Sequence, residues 1–71
     1  MPVIDAVVTG EIESHVAISD EFAIVLSGQL TATIDGVERV SRAGDYLVVP
    51  AGAQHGIVPD GECRLLLIGR I

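Results

Sequence analysis

The stretch "GDYLVVPAGAQH" fixes one of the chain's two histidines against turn residues: Gly44, five residues, Pro50, one residue, Gly52, two residues, His55. Gly44-Asp45 ends one turn, Tyr46 to Val49 crosses the fold as a strand, Pro50 and Gly52 reverse the chain, and His55 begins the next strand with its ring able to face a cavity. Upstream, His15 lies in "EIESHVA" and Glu21 opens "EFAIVLSG". Each of these side chains taken alone reads as an ordinary surface or hydrogen-bonded group, and it is their joint placement that draws attention. Other chemistries find little support. Ser14, Ser19, Ser27 and Ser41 carry no nucleophile signature. Cys63 opens an apolar run with no base or activating cation beside it, so it reads as an inert small hydrophobe.

The segment from Gly44 to His55 resembles the second conserved motif of the cupin family, small jelly-roll barrels. The family's first motif, G-x5-H-x-H-x3-4-E-x6-G, is present in part: "EFAIVLSG" matches its second half from Glu21 to Gly28, and His15 stands where the first histidine belongs. The second histidine is replaced by Ala17, Gly10 stands one residue too close to His15, and Pro59 occupies the position of the asparagine that closes the second motif. The resemblance covers the chain from about Gly10 onward. It implies an all-β, jelly-roll β-barrel. It also implies a divalent transition metal (Mn, Fe, Co, Ni, Cu or Zn) held by His15, Glu21 and His55, a two-histidine, one-carboxylate set that leaves coordination positions open. Side chains two apart along a strand share a face, so Glu13, His15 and Ala17 should point the same way. Glu13 is then either a partner or ligand beside the imidazole, or a rim residue in water, and the rim is the favoured reading.

Positioning such groups requires strands. Turn punctuation recurs about every eight residues, at Gly10, "SDE", "SGQ", "DG", "AGD", "PAGA" and "PDGE", and no window holds a helical period. The strands expected are "VIDAVV", "EIESHVA", "FAIVLS", "LTATI", "VERVS", "YLVVP", "HGIV" and "CRLLLI". Asp35-Gly36 supplies a two-residue hairpin turn between alternating segments. "FAIVLS" and "LLLI" are apolar on both faces, which predicts cover from the core on one side and from a second subunit on the other. Asp20 and Asp45 read as turn residues, Tyr46 as core, and Arg39, Arg42, Arg64 and Arg70 as solvated face, the alternative for one of them being an acid met across a dimer interface.

At 71 residues the chain is expected to be one domain, 1–71, near the lower limit for folding without help. With no Trp, one Phe and one Tyr, its core must be aliphatic. Ten acidic residues against four arginines give a net charge of −6, which argues against nucleic acid and anionic membranes as partners. One cysteine, no leader-like start and no long apolar run point to the cytoplasm. The expected function is a homodimeric, metal-binding cupin acting on a small-molecule ligand, with oxygenase- or isomerase-type chemistry implied by the resemblance and enzymatic status left open. Its alternative is a metal-free, non-enzymatic binding or sensing module. A third reading is a structural subunit that needs a second polypeptide.

Overall fold

Short aliphatic segments broken by turns form eight strands: β1 (Val3–Val8), β2 (Ile12–Val16), β3 (Glu21–Ser27), β4 (Gln29–Ile34), β5 (Val37–Arg42), β6 (Tyr46–Val49), β7 (Gln54–Pro59) and β8 (Cys63–Gly69). The structure, a computed structural model, describes residues 3–69; Arg70 lies outside them. All eight expected strands are present, each end within one residue of its expected place. They pair into two four-stranded antiparallel sheets, ordered β1-β8-β3-β6 and β2-β7-β4-β5, which is the jelly roll. Asp35 (φ 47°) and Gly36 (φ 82°) close the β4–β5 hairpin with Ile34 opposite Val37, the turn that matches strand twist. No helix of the described residues is long and apolar enough to cross a membrane.

Strand alternation sends Ala23, Val25, Leu30, Ala32, Leu47, Cys63 and Leu65 into one aliphatic core between the sheets. Burial holds the Cys63 thiol's pKa up, in keeping with a small inert hydrophobe. Because Leu47 and Val49 point inward, Tyr46 and Val48 must point out. The expectation of a core tyrosine is therefore corrected: Tyr46 is 65% exposed and stacks on Phe22, ring centroids 5.4 Å apart. β3 and β8 are the central strands of their sheet, and their outward residues Phe22, Ile24, Leu66 and Ile68 are only half-buried. Arg64 meets Asp5 of this same chain, Nε donating to Oδ1 at 2.9 Å, and that guanidinium holds the Asp5 carboxyl below its ordinary pKa.

Candidate functional site

A β-bulge decides where His15 points. β2 sets Ile12 opposite Ile57 and His15 opposite His55, so Glu13 and Ser14 together face Gly56 alone. In a regular strand Ile12 and His15 would lie on opposite faces; the extra residue gives both the inward one. Gly56 makes room for this, since a Cβ there would stand 3.2 Å from Ile12 O and Ser14 N. The bulge also changes what Glu13 does. Its exposed carboxylate stays at the rim, while its backbone carbonyl accepts a hydrogen bond from His15 Nδ1 at 3.0 Å. A carbonyl only accepts, so Nδ1 is the donor in this contact.

The three residues singled out by sequence do come together. The His15 and His55 rings meet edge to face with centroids 4.3 Å apart. His55 Nε2 stands 3.6 Å from Glu21 Oε2, too far for a direct hydrogen bond but close enough for charge to act. Glu21 heads β3 opposite Val49 and Gly69, so its side chain begins on the inward face, yet it remains 48% exposed. His55 is 6% exposed, and its Nδ1 is buried with no hydrogen-bond partner. Burial, then the neighbouring His15, hold the His55 pKa below its ordinary 6.5, while Glu21 pulls the other way.

Backbone ties fix the segment leading into His55. Ala51 N donates to Asp20 Oδ1 at 2.8 Å, and Gln54 N donates to Asp35 Oδ1 at 2.9 Å. Between them Ala17 N donates to Ala53 O at 2.9 Å and Gly52 N to Ala17 O at 2.8 Å. Asp20 and Asp35 thus position the site, a role that sequence reading reduced to turn formation because their partners are more than fifteen residues away. Asp45 does close its own turn, accepting from Arg42 N at 2.8 Å.

The expectation of a divalent transition metal is corrected. Among the described residues no group of three or more His, Cys, Asp or Glu could hold a metal ion. The contacts are pairwise, His15 with His55 and His55 with Glu21, and do not form a converging set. At the place of a further donor, Ala17 packs with Val49 and Ala53 into a small apolar cluster, with Ile34 against it. Beside the polar group a cavity of about 820 Å³ opens between the β2–β3 and β6–β7 connections. Its wall includes Ile18, Phe22, Pro50 and Ile68, with Glu21 among the few polar residues that line it. Such a cavity can seat a small apolar body, with the Glu21 carboxylate and His55 imidazole close by.

Comparison with known proteins follows the same lines. The family model described as "Cupin domain" matches residues 6–69. A cupin-2 domain containing protein from Shewanella frigidimarina superposes with a TM-score of 0.83 at 27% identity, covering 96% of this chain and 69% of that one. An RmlC-like cupin from the same organism gives 0.79 at 26% identity, covering 92% of this chain and 62% of that one. A cupin superfamily protein from Desulfitobacterium hafniense gives 0.82 at 20% identity, covering 99% and 78%, a likeness of fold alone. The chain thus spans between 62% and 69% of the length of the two Shewanella proteins. Comparison with curated proteins finds no match.

Proposed function

The chain belongs to the cupin family, and from that premise we propose that it is a metal-free, non-enzymatic module that binds a small molecule. The observation that carries the reading is Glu21. Glu21 is one of the residues that line the apolar cavity, and its half-exposed carboxylate faces the buried His55 imidazole. A ligand with an apolar body and a hydroxyl or amine would bury the one against Ile18, Phe22 and Ile68 and donate the other to Glu21. His55, whose buried Nδ1 lacks a partner, supports Glu21 from behind; such an atom costs about 1–3 kcal/mol unless something meets it. Small alcohols, sugars and amines are the class that fits.

We place the protein in the cytoplasm as a homodimer. The reading is supported by an unpaired, buried Cys63 and by the apolar outer face of the β1-β8-β3-β6 sheet.

The test is a thermal-shift screen of alcohols, sugars and amines in the presence of EDTA. A compound that raises Tm in the wild type and loses its effect in both Glu21→Ala and His55→Ala is the expected result. If every stabilising compound acts equally on both variants, or if stabilisation requires a divalent ion, the proposal fails.

A further inference from the structure

The two sheets meet along a seam where β5 and β6, each the last strand of its sheet, are not paired with one another. A cavity of about 800 Å³ opens there, and none of His15, Glu21 or His55 lines it. What lines it is set by strand parity. Val37, Arg39 and Ser41 stand directly opposite Ile34, Ala32 and Leu30, and Leu30 and Ala32 are core residues at 0% and 2% exposure. Residues directly opposite in an antiparallel pair share a face, so Arg39 rises from the inward side of the sheet, between an apolar valine and a buried serine.

Arg39 lines this cavity while remaining exposed, so its fork of five donors is open to water or to an incoming acid. The other described arginines have a partner: Arg64 holds Asp5, and Arg42 donates to Gln29 Oε1 at 3.0 Å. Arg39 has none among the described residues. The carboxylate that shares this cavity, Asp45, is occupied in closing its own turn on Arg42 N. Ile34, Val37, Leu47 and Val48 give the rest of the wall an apolar part beside its polar surface.

We propose that the β5–β6 seam is a second binding site, which takes a small carboxylic acid with an apolar tail, the carboxylate on Arg39 and Ser41 and the tail along Ile34, Val37 and Leu47. The net charge of −6 disfavours anions at long range, so the guanidinium acts at contact, where two parallel N–H bonds to one carboxylate supply both strength and orientation. The apolar wall then selects against bare anions. Ile34, which lines the seam and packs on the Ala17, Val49 and Ala53 cluster, separates this site from the histidine end of the fold.

The experiment is a titration of the 15N-labelled protein with sodium octanoate, followed by amide shifts, with 1-octanol and inorganic phosphate as comparison probes. Saturable octanoate shifts confined to residues around 34–48 are expected. Arg39→Gln should weaken octanoate by roughly tenfold or more, and Ser41→Ala by about threefold. At the seam, read from the shifts around 34–48, octanol and phosphate should each bind at least about tenfold more weakly than octanoate. Arg39 is exposed and unpaired, so Arg39→Gln should retain the wild-type melting temperature, which makes its loss of binding interpretable. The proposal is overturned if Arg39→Gln binds octanoate as tightly as the wild type, if the shifts centre on Phe22 and the outer sheet face, or if phosphate competes equally. Absence of any saturable shift up to about 10 mM also overturns it.

Discussion

Burying an imidazole penalises its charged form, and at His55 that penalty is the largest of the forces on its titration, ahead of the like-charge effect of His15. The folded protein therefore refuses a proton that the unfolded chain accepts at its ordinary 6.5. By linkage the unfolded state binds more protons in this window, so stability is fully present above 6.5 and falls as pH drops toward the lowered folded value. The slope contributed is at most one proton, about 1.4 kcal/mol per pH unit. Urea midpoints measured from about pH 8 down to about pH 5 should show this slope in the wild type and lose it in His55→Asn, before carboxylates begin to titrate. Glu21 opposes the shift, so Glu21→Gln should extend the window to lower pH. Identical profiles for all three proteins would mean that His55 is hydrated in solution. The residues of this cluster were readable from the sequence because motif spacing is a covalent property. Their mutual geometry was not, since it depends on which ring nitrogen faces Glu13 O and on what lies across the fold.

The same division runs through the elements. Alternation of apolar residues and regularly spaced turns located every strand, because side-chain period and turn chemistry are local. The β2 bulge left no such trace: it arises from pairing two residues of one strand with Gly56 of another forty residues on. It is why Glu13 meets His15 through its carbonyl and not through its carboxylate. Motif glycines show a related limit. Gly28 matched the end of "EFAIVLSG", but its reason is tertiary. It sits at φ 82°, and a Cβ there would run into the carbonyl oxygen of Glu62 and stand 3.1 Å from Cys63 Cα, locking the β3–β4 turn against the β7–β8 turn. Gly61 has a similar φ of 76° with open space around it. Alanine at either position incurs the left-handed backbone cost, about 1 kcal/mol, whereas only Gly28→Ala adds a clash with backbone. Chemical denaturation should show Gly28→Ala at least about 2 kcal/mol less stable than Gly61→Ala. Equal losses would show that the two turns are not in contact.

For the whole molecule, the balance between interior and surface sets the final expectation. A chain this short leaves a large share of its surface in water, and here much of that surface is apolar in one place. Val3, Val7, Leu26, Tyr46 and Val48 are exposed by 44 to 65% on the outer face of the β1-β8-β3-β6 sheet, around the half-buried Ile24 and Leu66. The charged pair described on that face, Asp5 with Arg64, is already matched within the chain. In the proposed homodimer a second copy, apolar in the same places, would cover this face through a two-fold interface in which every residue is used twice. Two chains of −6 each give −12, a repulsion that salt screens, so the dimer should tighten as ionic strength rises. Light scattering at tens of micromolar should return twice the 7.4 kDa of one chain. Replacing Tyr46 and Val48 together by Glu places four carboxylates in an otherwise apolar interface, and should raise the dimer dissociation constant by about a hundredfold or more. Both positions are exposed, so the variant should keep its fold, checked by its circular dichroism spectrum. A wild type that remains at the mass of one chain, or a double variant that remains paired, would leave the apolar sheet face uncovered and remove the dimer from this account.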